Sequence, residues 1–146
     1  MLDTMTQALA EIREIVFDNA PPTARFAFSF VEDEDVGSMQ AGPLFDQNED
    51  FLLFETEVSE VRRAGVSSVS PTRCWGELAI TLHSKNALKE IRHRGDLESV
   101  ATWFAEKTIR GIRFRTFTPL STSRVNGFVA YGGVLNFDFE TKPKGY

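Results

Sequence analysis

The chain has 146 residues, of which 42% are hydrophobic, a formal net charge of −5 and one cysteine. This length is typical of one domain, the acidic total argues against general binding to duplex DNA, and a single cysteine excludes an internal disulfide. Residues 1–60 carry fourteen acidic and two basic residues, whereas residues 61–146 carry seven acidic and fourteen basic ones. The division predicts electrostatic pairing, either within one fold or between copies of the chain.

No segment predicts export or membrane insertion. The first sixteen residues carry charged side chains at intervals and lack the apolar run of a signal peptide. No stretch approaches the roughly 20 apolar residues that span a bilayer. We therefore expect a protein that assembles in a cytosol and has no membrane partner.

An amphipathic helix is predicted over residues 4–18, where Thr4 and Gln7 fit a capping box. Its apolar stripe consists of Met5, Leu9, Ile12 and Val16. The alternation of phenylalanines then predicts a strand near residues 25–31. Residues 32–50 are acidic and irregular, and a loop of this length is usually functional or mobile.

Two long strands are predicted near residues 51–63 and 73–84. The second is the clearer, because its side chains alternate between two faces. One face carries Cys74, Gly76, Leu78, Ile80 and Leu82. A second amphipathic helix is predicted over residues 96–109, with Asp96 as its N-cap and Gly111 as its C-terminal stop.

The last two strands are predicted near residues 112–118 and 127–140. Gly132 and Gly133, in the middle of the final strand, indicate a bulge or the close approach of another backbone. The chain, residues 1–146, is thus predicted to be a single domain of the α+β class. We expect a two-layer sandwich, in which two amphipathic helices cover one face of a largely antiparallel sheet of about five strands. The second face is then solvated or buried against a partner.

The sequence predicts no catalytic residues and no cofactor. Cys74 and His83 are nine residues apart on one predicted strand, so their side chains project to opposite faces. Cys74 is interpreted as a small core residue, because its neighbours on that face are apolar. Sequence motifs for nucleotide binding, zinc proteolysis and serine hydrolysis are all lacking.

One partial match to a calcium-binding loop does not predict a metal site. Positions 1, 3, 5 and 12 of the loop pattern are matched by Asp46, Asn48, Asp50 and Glu57. The sixth position needs glycine for a sharp turn and is Phe51 instead. A chance match in an acid-rich segment is the favoured interpretation, so no metal is expected.

Two oppositely charged groups of residues are the candidates for an interface. The acidic run is Glu32, Asp33, Glu34 and Asp35, which taken alone is more simply a solvated loop. The basic set consists of Lys89, Arg92, His93 and Arg94 before the second predicted helix and Arg110, Arg113 and Arg115 after it. Its five arginines are the candidate interface residues. Arg113 and Arg115 share a predicted strand face with Phe117, which suits a protein interface. A nucleic-acid interface ranks lower, because the set lacks a second well-placed aromatic side chain.

Four strings of residues, with the N-terminal helix before them, carry a resemblance to a known family. They are Gly76–His83, Leu97–Ile109 with Gly111–Phe114, and Asn136–Phe139 at the end of a glycine-bearing strand. This layout, over roughly residues 2–140, resembles the tail terminator-like proteins of long-tailed bacteriophages.

The resemblance implies a structural protein of the virion tail, assembled in the cytoplasm of a bacterial host. Such proteins form a homo-oligomeric ring, typically a hexamer, on the head-proximal end of the tail tube. The ring stops tube polymerisation and offers a surface to a neck or head-completion protein, while DNA passes through its lumen without specific binding.

The ring interpretation adds two hypotheses about the charged segments. Each interface of a cyclic ring joins two different patches, so acidic residues 32–35 are expected to meet Arg92, Arg94, Arg113 and Arg115 of the adjacent copy. Acidic residues 32–50, if they line the lumen, would repel DNA phosphates. The alternatives are another neck or head-closure adaptor ring, and a small-molecule-binding α+β domain or enzyme with a pocket between helices and sheet.

Overall fold

The computed structural model describes residues 2, 4–18, 27–30, 50–63, 71–85, 90–125 and 127–142. The helices within them are α1 (Met5–Asp18) and α2 (Glu90–Phe104). The strands are β1 (Ala27–Phe30), β2 (Phe51–Arg63), β3 (Thr72–Ser84), β4 (Thr108–Ile109), β5 (Ile112–Pro119), β6 (Ser123–Val125) and β7 (Phe128–Thr141). The predicted α+β class is confirmed.

The described strands form one sheet in the order β1-β2-β3-β7-β5-β4, with β6 beside one end of β7. All neighbours are antiparallel except β1 and β2, which run parallel. The two long strands β3 and β7 pair along their whole length, from Thr72 opposite Thr141 to Ser84 opposite Val129. They form the centre of the sheet.

Helix α1 begins where the sequence predicts, because Thr4 caps it. The backbone N–H of Gln7 donates a 3.0 Å hydrogen bond to Thr4 Oγ1, which satisfies one of the free donors of the first turn. The buried side chains of the helix are Ala8, Ile12, Ile15 and Val16. Met5, the first residue of the predicted apolar stripe, is instead 42% exposed.

The helices cover one face of the sheet, which is called the inner face below. Its core joins α1 and α2 to the alternating apolar residues of the strands, as the sequence pattern requires. Strand β3 contributes Cys74, Leu78, Ile80 and Leu82, and β7 contributes Tyr131, Leu135, Phe137 and Phe139. The opposite, outer face carries the other set of side chains, among them Trp75 and Glu77 of β3 and Asp138 of β7.

Two glycines make room for aromatic rings in this packing. A Cβ atom at Gly133 would lie 2.1 Å from Cζ of Phe117. At Gly76 it would lie 2.3 Å from the carbonyl oxygen of Glu57 and 2.6 Å from Cζ of Phe137. The close approach predicted at Gly133 is therefore real, but a side chain of β5 makes it and not another backbone.

The second helix is shifted from its predicted position. It spans Glu90–Phe104, whereas the prediction was residues 96–109 with Asp96 as N-cap. The first turns lack the helical spacing of apolar residues that predicts a helix. Ile91 is 90% exposed, His93 is the buried residue there and Gly95 lies inside the helix. At the other end, Glu106 adopts a φ of 59° and the chain leaves the helix.

Gly111 is not a helix stop but part of a two-residue hairpin turn between β4 and β5. Arg110 and Gly111 have φ angles of 52° and 82°, as a type I′ turn requires. The pair Thr108–Ile109 continues the helical period in the sequence but pairs with Ile112–Arg113 as a strand. Strand β6 lies between the two strands predicted near residues 112–118 and 127–140, and it pairs with β7.

Candidate functional site

The centre of the candidate site is a buried carboxylate shared by two arginines on the outer face. The Asp138 side chain is 6% exposed, whereas those of Arg113 and Arg115 are 47% and 49% exposed. Arg113 donates to Oδ1 through Nε (3.2 Å) and Nη2 (3.0 Å). Arg115 donates to Oδ2 through Nε at 2.8 Å. Two cations on one carboxylate leave a net positive, half-exposed surface.

A bulge in β5 brings both guanidiniums to this carboxylate. Arg113 lies directly opposite Asp138, but the register shifts after Phe114. Arg115 and Thr116 consequently face a single residue of β7, because Phe117 is the next to pair, with Leu135. An extra residue of this kind redirects side chains. Here the Arg115 side chain reaches back to the partner of Arg113.

Open grooves flank the Arg113 side chain on two sides. One, of about 460 Å³, is lined by residues that include Arg73, Asp138 and Glu140. The other, of about 440 Å³, is lined by Glu106, Thr108, Arg113, Phe114, Arg115 and Thr116. Arg73 Nη2 donates a 2.6 Å hydrogen bond to Glu140 Oε1 at the edge of the first groove. The guanidiniums of Arg113 and Arg115 are about half exposed and carry further N–H donors for an incoming anionic group.

The Arg110 side chain forms ion pairs within its own chain. Its guanidinium lies 3.0 Å from Glu11 Oε2, 3.3 Å from Glu14 Oε2 and 3.0 Å from Asp18 Oδ2, all on α1. Hydrogen bonds to Glu11 and Asp18 raise its pKa above the ordinary arginine value. The turn at Arg110 therefore ties the β4–β5 hairpin to α1. This joins the acidic first part of the chain to the basic second part, one of the two pairings that the charge division predicted.

Arg92 and Arg94 lie on α2, away from the β5 arginines in the fold. Arg94 donates a 2.6 Å hydrogen bond from Nη2 to Thr122 Oγ1, and its guanidinium carbon lies 5.5 Å from the centre of the Tyr131 ring. Arg92 is exposed. Of the arginines predicted as one set, Arg113 and Arg115 thus share Asp138, whereas Arg110 lies against α1 and Arg94 against Thr122.

The acidic run Glu32, Asp33, Glu34 and Asp35 lies outside the described residues. So do Asp46 and Asn48 of the calcium-loop pattern. Their predicted roles remain predictions.

A second acidic patch, which the sequence did not reveal, lies on the outer face across β2 and β3. Glu57 lies directly opposite Glu77, and Glu55 opposite Ala79. Glu55, Glu57 and Glu77 are all exposed. Like charges directly opposite each other destabilise a sheet, so the patch is better compensated when a cation approaches from outside. The alternation of Glu55 and Glu57 was a visible signal, but the pairing with Glu77 needed the register.

The two histidines are buried on different elements. The His83 ring stacks on Phe51 with centroids 4.8 Å apart and meets Phe128 edge-on at 6.4 Å. Burial lowers the pKa of His83 to about 4, so the ring is neutral at pH 7. His93 packs on Tyr131 at 5.6 Å, with its Nδ1 3.8 Å from Asp50 Oδ2.

Cys74 is a core residue, as predicted. It is 2% exposed and belongs to the inner-face core, and burial raises the pKa of its thiol. Within the described parts of the chain, no three histidine, cysteine or acidic side chains are grouped to bind a metal ion. Neither helix has the length and apolar composition that crossing a membrane requires.

Comparison with known proteins adds no family. The sequence matches no protein-family model, and no curated protein sequence matches it.

Proposed function

We propose that this chain is a tail terminator-like structural protein of a long-tailed bacteriophage. It forms a ring, of six copies by analogy, on the head-proximal end of the tail tube. There it stops tube polymerisation and presents a surface to a neck or head-completion protein, while DNA passes through the lumen without specific binding.

The observation that carries the proposal is the charge pattern of the outer sheet face. The acidic patch of Glu55, Glu57 and Glu77 lies toward the β2 side of the sheet. The arginine pair of Arg113 and Arg115 lies toward the β5 side, two strands beyond β3. A cyclic ring joins each copy to the next through two different, complementary patches. One face that carries opposite charges on opposite sides of the sheet fits that requirement.

A neck or head-closure adaptor ring would use the same kind of contact, so the ring alone does not separate the two. The deciding experiment is an in-frame deletion of the gene in the phage or prophage that encodes it, followed by electron microscopy of the lysate. We expect tail tubes of uncontrolled length that are not joined to heads. Tails of normal length beside unjoined heads would favour the adaptor, and intact infectious virions would refute both.

The alternative of a small-molecule-binding domain requires a pocket between the helices and the sheet. In the described residues that space is filled by apolar side chains, including Ile12, Ile15, Val100 and Phe104. The two grooves described above lie instead around Arg113 and open outward. This arrangement supports a surface that binds a macromolecule.

A further inference from the structure

We propose that adjacent copies join edge to edge, with the β2 side of one sheet beside the β5 side of the next. In this contact Glu55 and Glu57 of one copy lie against Arg113 and Arg115 of its neighbour. The inference rests on the proposed self-assembly and names the surface that performs it. It takes Glu55 and Glu57, in place of acidic residues 32–35, as the partners of the arginines.

Both sides of the sheet have long strands that short strands cover only in part. Strand β1 pairs with β2 only from Phe51 to Phe54. Within the described residues, no strand lies beside the stretch from Glu55 to Val61 on the side away from β3. On the other side, β4 pairs with Ile112–Arg113 of β5, and backbone hydrogen bonds continue from Glu106 to Arg115 and from Phe114 to Lys107. Within the described residues, β5 is therefore open only from Thr116 to Pro119. Open strand edges are the usual places where another chain adds to a sheet.

The charges on the two sides of the sheet determine which edges can pair. The β2 edge carries Glu55 and Glu57 on the outer face, with Glu77 beside them on β3. The β5 side carries, next to its open stretch, two arginines on one buried carboxylate, a net positive group whose geometry Asp138 fixes. Two acidic edges or two arginine edges would repel each other, because like charges placed together at an interface are costly. Only the unlike pairing, β2 to β5, brings each patch to its opposite.

A contact between unlike edges excludes a symmetric dimer and forms a ring when the rotation between neighbours closes. Each copy has one acidic edge and one arginine edge on opposite sides of one sheet. A contact between unlike edges leaves one of each kind free, so further copies add until the ring closes. A two-fold dimer would require an edge to meet its own copy.

Crosslinking with single cysteines tests the contact directly. Ser59→Cys places a thiol on the exposed part of β2 and Thr116→Cys places one in the arginine groove, and both substitutions leave every charge in place. The wild-type chain is the reagent control, because its one cysteine is buried. Thr102→Cys, on the exposed side of α2, is the control for position.

With a short bis-maleimide, a mixture of the Ser59→Cys and Thr116→Cys chains should give a covalent dimer. Neither chain alone should do so, and neither should link to Thr102→Cys. Adding Glu55→Lys and Glu57→Lys to the Ser59→Cys chain should lower the yield about tenfold or more, because unlike charges become like ones.

The outcomes separate this inference from the proposed function. Linkage of Ser59→Cys to itself would overturn the edge-to-edge contact in favour of a two-fold dimer. An oligomer of ring mass that shows no linkage between the two positions would overturn the contact and leave the ring. A monomer at every concentration, without linkage, would overturn both.

Discussion

The shared carboxylate of Asp138 gives the sharpest prediction about the arginine site. Replacement by Asn keeps the size and one acceptor oxygen but removes the negative charge. The amide NH2 then faces either Arg113 or Arg115, although both are donors only. At least one of the three short hydrogen bonds is lost.

The magnitude follows from burial. Asp138 is 6% exposed, so the charge-assisted bond that it loses is worth about 1.5–3 kcal/mol. Both guanidiniums are about half exposed and recover part of this from water, as exposed ion pairs do. We expect Asp138→Asn to lower the free energy of unfolding by about 2 kcal/mol, which corresponds to a fall of roughly 4–8 °C in Tm.

Urea unfolding monitored by circular dichroism measures the loss, provided that the m-value is unchanged. Glu140→Gln is the matched control, since it makes the same chemical change on the same strand and face. The Arg73–Glu140 pair is 40% and 33% exposed, so its loss should cost less than about 1 kcal/mol. Equal effects of the two substitutions would refute the claim that Asp138 organises the arginine pair.

Three further predictions test the packing at Gly133, the buried His83 and the ion pairs between Arg110 and α1. Gly133→Ala should destabilise the fold by about 1–3 kcal/mol, because its Cβ would lie 2.1 Å from the Phe117 ring. Most of that penalty should vanish in a Phe117→Ala background, and equal costs in both backgrounds would contradict it. Because the pKa of His83 is about 4 in the folded chain and 6.5 in the unfolded chain, the unfolded chain binds more protons between these values. The free energy of unfolding should therefore decrease as the pH is lowered, by about 2 kcal/mol from pH 7 to 5. His83→Phe should flatten the dependence of the urea midpoint on pH. An unchanged slope would contradict the assignment of this dependence to His83. Arg110→Ala should speed amide hydrogen exchange in α1 more than in α2, because Arg110 forms ion pairs with three carboxylates of α1. Unaltered exchange in α1 would show that these ion pairs do not stabilise the helix.

Local patterns were enough to predict most of the elements. The bounds of β2, residues 51–63, are those predicted, and the capped start of α1 is confirmed. In β3 the alternation of Cys74, Leu78 and Ile80 identified the inner face correctly. These features depend on residues close in sequence, where period and capping chemistry decide the structure.

The mistakes arose where distant contacts decide the structure. The early turns of α2 bury His93 instead of an aliphatic residue, so their helical period was invisible in a search for apolar positions. Thr108 and Ile109 continued that period but pair with β5, because the positive-φ residues before and after them redirect the chain. Tertiary pairing overrode the local signal.

The candidate site was only half visible for the same reason. The sequence identified Arg113 and Arg115 as residues of one strand face but wrongly placed Phe117 with them, because the bulge in β5 turns Phe117 to the inner face, opposite Leu135. Asp138 lies more than twenty residues away in the chain. The acidic patch depends on the register that sets Glu57 opposite Glu77. Arg110 was placed with the interface residues, whereas its carboxylate neighbours are on α1.

Self-assembly through unlike charged patches is the central claim, and absolute mass in solution tests it most directly. Light scattering behind a sizing column, with the salt concentration raised in steps, measures that mass. We expect a discrete species of several 16.4 kDa chains at low salt, six if the ring is hexameric, which dissociates as salt screens the contacts. A species of one chain at every protein and salt concentration would contradict the account.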